Sequence, residues 1–127
     1  MSKIILKISG EALKGEKTSV CNEKLEVILK TIESLKKEHQ IGIVIGGGNF
    51  FRGREHTDMD KVTADTIGML GTVMNALYVK DYLEKNGLKT TISTPFDFPG
   101  LINNFSDDEL RKKYNNGEVI IFGGGVG

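Results

Sequence analysis

Residues 41–53 read Ile-Gly-Ile-Val-Ile-Gly-Gly-Gly-Asn-Phe-Phe-Arg-Gly, and no other stretch so narrows what the chain can fold into. The β-branched run predicts a buried strand, and the glycines that end it predict a turn whose backbone a ligand can approach without meeting a Cβ. Amides of Gly46, Gly47 and Gly48 aimed at one point would make a nest for an anion. Arg52 follows four residues after Gly48, and its guanidinium fork suits phosphate oxygens. A turn in which glycine serves packing alone would use the same residues, so the meaning of the stretch depends on its neighbours.

The chain repeats this design. Residues 118–122 predict a second strand, apolar from Val119 onward, that leads into Gly123-Gly124-Gly125-Val126-Gly127. Residues 3–9 form a third, in which Ile4, Ile5, Leu6 and Ile8 are nearly continuous, as in a parallel strand covered on both faces. Lys7 interrupts it, and a lysine so placed is costly to bury unless its ammonium reaches a cavity or an anion. Ser9 and Gly10 follow at once with a hydroxyl and a flexible bend. The alternative is an edge strand from which Lys7 extends into water.

Helical patterns separate these runs. Leu25, Ile28, Leu29, Ile32 and Leu35 recur at helical spacing behind Asn22 as an N-cap, with His39 in the last turn. Residues 61–86 predict a long helix whose apolar face carries Val62, Thr66, Met69, Leu70, Val73, Met74, Leu77 and Leu83, stopped by Gly87. Asp65 stands near its start, where the helix dipole favours an anion. Residues 88–94 predict a strand, and Ser106 with Glu109 forms a capping box that opens a short helix. Strands alternating with helices predict an open parallel α/β sheet. Ligands in such sheets gather outside the carboxyl ends of the strands, which would bring the bends at Lys7, Gly46 and Gly123 to one crevice.

Composition removes several function classes. The 127 residues suit a single domain, and 17 basic against 17 acidic side chains create no overall field for nucleic acid or an anionic membrane. A lone Cys21 allows no internal disulfide and no paired-cysteine zinc site, so a reduced, cytoplasmic setting is expected. The apolar run at the N-terminus is too short for a membrane span or a signal-peptide core. His56, Asp58 and Asp60 are closely spaced but read as solvated loop residues, so no metal ligands are assigned. No Gly-x-x-x-x-Gly-Lys-Ser/Thr string occurs, and Phe51 stands where a dinucleotide fingerprint needs glycine.

Three motifs carry a family resemblance: Lys-Ile-Ser-Gly-Glu-Ala-Leu at residues 7–13, Ile-Gly-Gly-Gly-Asn-Phe-Phe-Arg-Gly at residues 45–53, and Ala-Asp-Thr-Ile-Gly-Met-Leu-Gly-Thr-Val-Met-Asn-Ala-Leu at residues 64–77. Together they resemble the bacterial uridylate (UMP) kinases of the amino-acid-kinase superfamily. The resemblance implies a truncated three-layer α/β/α sandwich with a mostly parallel sheet, residues 1–127 being the UMP- and phosphate-binding N-terminal half. It implies transfer of a phosphoryl group from ATP, bound with Mg2+, to UMP. Lys7, Ile8, Ser9 and Gly10 would lie at the ATP phosphates, with Lys7 catalytic and Gly48 and Arg52 also on the ATP side. Gly47, Asp65, Val126 and Gly127 would contact UMP. Intact relatives are expected to be homo-oligomers, as hexamers, without nucleic-acid or membrane partners.

The chain departs from the family in two places. Val126 stands where many relatives have threonine, and residues 14–20 lack the glycine-rich character linked to GTP activation. Half of a two-sided transfer site is expected to leave the chain itself inactive. Two other readings share the residues: a non-catalytic module that binds phosphate or joins subunits, and a superfamily member acting on a carboxylate or carbamate.

Overall fold

The computed structural model of the protein describes residues 2–124. Strands β1 (Ser2–Ile8), β2 (His39–Ile45), β3 (Thr90–Ser93) and β4 (Val119–Phe122) alternate with helices α1 (Asn22–Lys36), α2 (Lys61–Lys85) and α3 (Asp107–Asn115). The strands lie in the order β1-β2-β4-β3, and every neighbouring pair is parallel. Parallel strands need long crossovers, which the three helices provide. All four strands therefore end on one edge, where the glycine bends stand.

The pairings of Ile43 with Leu6 and with Ile121, and of Ile121 with Ile92, put these residues on one face. That face receives Leu25, Ile28, Leu29 and Ile32 of α1 and Ala76, Val79 and Leu83 of α2 to form the core. Helix α3 lies on the other face. There the Tyr114 hydroxyl donates to the Gln40 carbonyl at 3.2 Å, next to Gly42, where an added Cβ would stand 2.7 Å from the Ile5 side chain. The fold is thus the expected three-layer arrangement around a parallel sheet.

Several local expectations are corrected. β1 is an edge strand, and Ile5 is 58% exposed on the thinly covered face, so β1 is not covered on both sides as its apolar run predicts. Lys7 is exposed on that same open face. The N-cap of α1 is Cys21 rather than Asn22, and His39 begins β2 instead of ending the helix. α2 starts at an unanticipated cap, Asp60, whose carboxylate accepts from the Thr63 N–H at 3.0 Å. The capping box of Ser106 and Glu109 forms as expected. Gly87 and Gly117 follow α2 and α3 with φ of 86° and 87°, a conformation that stops a helix without strain only at glycine.

Candidate functional site

A cavity of about 830 Å³ opens at the carboxyl edge of the sheet, a size suited to a small-molecule ligand. β1 and the bend after it bring Lys7, Ile8, Ser9 and Gly10 to its wall. The turn after β2 brings Gly46, Gly47 and Gly48, with Arg52 just beyond, and α2 contributes Asp65, Gly68 and Thr72. Every site residue expected from sequence and lying among the described residues therefore faces this one space. Val126 and Gly127 lie outside the described residues.

The first two bends touch. The Gly46 N–H donates to the Ile8 carbonyl at 2.9 Å, extending the β1–β2 pairing by one step. A Cβ on Gly10 would stand 2.5 Å from Asn49 Oδ1 and 2.6 Å from the Gly48 nitrogen, so only glycine lets the two bends meet. Gly47 is equally constrained on its other side, where a Cβ would be 3.1 Å from the Gly68 carbonyl oxygen and the Thr72 nitrogen of α2. The turn closes on itself when the N–H groups of Phe50 and Phe51 donate to the Gly47 carbonyl at 3.0 and 3.1 Å. Among the described residues the N–H groups of Gly47 and Gly48 donate to no protein acceptor, which leaves both free for an anion.

The third bend joins less directly. The Gly123 N–H donates to the Ser93 carbonyl at 2.9 Å, and the Gly124 N–H donates to Thr72 Oγ1 at 2.6 Å. Thr72 lines the cavity, so it links the bend after β4 to the site.

Charge in the cavity is mixed. Lys7, Arg52 and Arg54 face Glu11 and Asp65. The Arg52 guanidinium lies across Gly48, with Nη2 3.4 Å from where a Gly48 Cβ would be, and it is ion-paired with Glu11. Asp65 Oδ2 lies 3.1 Å from Lys61 Nζ on the same helix. Lys7 makes no ion pair among the described residues, so its ammonium is available to a ligand. Among the described residues no group of three or more His, Cys, Asp or Glu is placed to hold a metal ion.

Sequence reasoning missed four contributors: Glu11, Asn49, Thr72 and Asn75. Glu11 was legible only as a loop charge, because its partner is 41 positions away in the chain. Asn75 carried a faint signal as an amide amid apolar helical neighbours, since a buried amide must find partners.

The amino acid kinase family pattern matches residues 2–127. The chain belongs to the amino acid kinase family. Within that family it is 42% identical over 128 residues to a uridylate kinase of Thermosipho melanesiensis, an alignment covering 98% of this chain and 54% of that protein. The crystal structure of UMP kinase from Ureaplasma parvum matches with a TM-score of 0.91 at 30% identity, over 98% of this chain and 56% of that one. UMP kinase from Bacillus anthracis matches with a TM-score of 0.89 at 34% identity, over 97% and 52%. The chain spans about half the length of these relatives.

Proposed function

We propose that this chain supplies the phosphate-cradling half of a UMP kinase, an enzyme that transfers the γ-phosphoryl group of MgATP to UMP to give UDP and ADP. The observation that carries this reading is the meeting of the Lys7 bend and the Gly46–Gly48 turn on one cavity, with two unpaired glycine N–H groups and two arginines. The uridylate kinases among its relatives support the choice of substrate.

Phosphoryl transfer needs positioning and charge cancellation more than a protein nucleophile, and this wall offers both. In this reading Lys7 is catalytic and neutralises the transferred group, while Ile8, Ser9 and Gly10 hold the ATP phosphates. Gly48 and Arg52 serve the ATP side. Gly47, Asp65, Val126 and Gly127 serve UMP, with the Asp65 carboxylate accepting from ligand hydroxyls. Mg2+ arrives as part of MgATP. The enzyme works in the cytoplasm, and copies associate through the outward face of α2, where Leu70, Met74, Leu77 and Tyr78 are exposed.

Calorimetry and a coupled ADP-release assay test the reading. The 127-residue chain is expected to bind UMP in preference to CMP, glutamate and aspartate, and to show negligible turnover by itself. Preference for a carboxylate substrate would overturn the substrate assignment, and full turnover would overturn the assignment as half of a site. In an intact enzyme, Lys7→Ala is expected to raise the barrier by about 3 kcal/mol, read as kcat.

A further inference from the structure

We infer that Asn75, locked by Asn49, is a positioning residue that aims the Gly47 N–H into the cavity. Asn75 lies within α2 and is 0% exposed, a place where a helix packed on a sheet ordinarily carries an aliphatic side chain. Buried amides persist when they are bonded, and this one uses all its main valences. Its Nδ2 donates to the Gly46 carbonyl at 2.7 Å and to Asn49 Oδ1 at 2.8 Å, while its Oδ1 accepts from Asn49 Nδ2 at 3.0 Å. Asn49, 8% exposed, gives its remaining proton to the Ser19 carbonyl at 2.9 Å. The closed amide pair joins three segments: α2, the turn after β2 and the loop before α1.

The consequence lies in the peptide planes. In a trans peptide the C=O and N–H groups point in opposite directions. A Gly46 carbonyl tied to Asn75 therefore turns the Gly47 N–H away from that side chain, toward the space that the glycine turn lines. The Gly47 carbonyl, held by the N–H groups of Phe50 and Phe51, orients the Gly48 N–H in the same manner. Glycine flanked by glycine has no Cβ to resist a peptide flip, so an outside tether has to set the first plane. One half of the anion nest thus depends on backbone bonds and the other on a side chain 29 positions away. This inference rests on reading the cavity as a site for a nucleotide phosphate.

Backbone amide NMR of the 127-residue chain tests it, comparing wild type with Asn75→Ala and Asn49→Ala. Val79→Ala serves as a control, because Val79 is buried on the same helix and its side chain forms no hydrogen bond. In the ligand-free protein, Asn75→Ala is expected to broaden or shift the Gly47 amide resonance, and Asn49→Ala to do so less. On titration with UMP, Asn75→Ala is expected to weaken binding by about tenfold, with a smaller loss in Asn49→Ala. Val79→Ala should lower the melting temperature yet keep the Gly47 resonance and the UMP affinity.

A sharp, unshifted Gly47 resonance with wild-type affinity in Asn75→Ala would overturn the inference, as would equal changes in Val79→Ala. If Asn75→Ala does not fold, the same two outcomes in Asn49→Ala decide the matter. Failure of the wild type to bind UMP would instead remove the proposed function, while the ligand-free Gly47 resonance still judges the tether.

Discussion

Helices α1 and α2 cover the same face of the sheet yet pack by different means. α1 sends Leu25, Ile28, Leu29 and Ile32 into the core, and its aliphatic stripe is the one its sequence displays. α2 buries Gly71, Val73, Asn75, Ala76, Val79 and Leu83, while Leu70, Met74 and Leu77 are 41–42% exposed and Val62 is 72% exposed. Of the eight residues that helical spacing assigns to its buried face, only Val73 and Leu83 are fully inside. The reason is what each helix meets. α1 rests on strand side chains, which leave room for branched aliphatic groups. The middle of α2 meets the backbone of the glycine turn, where a Cβ on Gly47 would stand 3.1 Å from the Gly71 carbonyl carbon and the Thr72 nitrogen. A helix that must approach a backbone turn this closely selects small residues and an amide, and its larger apolar residues are displaced outward.

This contrast can be broken at four points, from the largest expected effect down. Ile32→Ala on α1 removes a fully buried side chain and is expected to cost about 2–5 kcal/mol, read from urea unfolding midpoints. Gly47→Ala pushes a methyl against the α2 backbone and is expected to cost about 1–3 kcal/mol, with UMP binding lost alongside. Equal stability and binding in Gly47→Ala would show that the helix can retreat from the turn. Leu77→Ala, by comparison, should change the stability of the single chain by about 0.5 kcal/mol or less, while weakening any self-association seen by sedimentation.

The smallest effect concerns the bond between the two helices. The Tyr82 hydroxyl of α2 donates to the Glu26 carboxylate of α1, and that bond, then burial, raises the Tyr82 pKa above its usual value of 10.0. A raised folded-state pKa means that folding favours the neutral phenol. Its stabilising contribution is present in full below pH 10 and is lost as pH climbs through the raised value. Tyr82→Phe should therefore unfold more readily than wild type below pH 10, with the gap closing above it. A gap that persists at high pH would show that the hydroxyl's contribution does not depend on the phenol staying neutral.

Much of the cavity was legible before any coordinates, and the reason is local. Lys7 lies at the end of one strand with Ser9 and Gly10 directly after it, and Gly47, Gly48 and Arg52 follow another, so strand pairing alone brings them together. Asp65 required only the start of a helix. The edge position of β1 was legible only as the alternative reading of Lys7, because a run of isoleucines looks the same whether one or two faces are covered. Glu11 against Arg52 and Asn75 against Asn49 were hidden as well, since each pair is made by segments far apart in the chain.

Sequence by itself determined the order of strands and helices, their parallel pairing through long crossovers and the glycines at the strand ends, because these follow from hydrophobic period and from backbone freedom at single residues. Only the tertiary structure decided which strand became the edge, which face of α2 turned inward and which side chains tether the glycine turn. Those outcomes depend on contacts between groups that no local pattern connects, such as the Asn75 amide with Gly46 and Asn49.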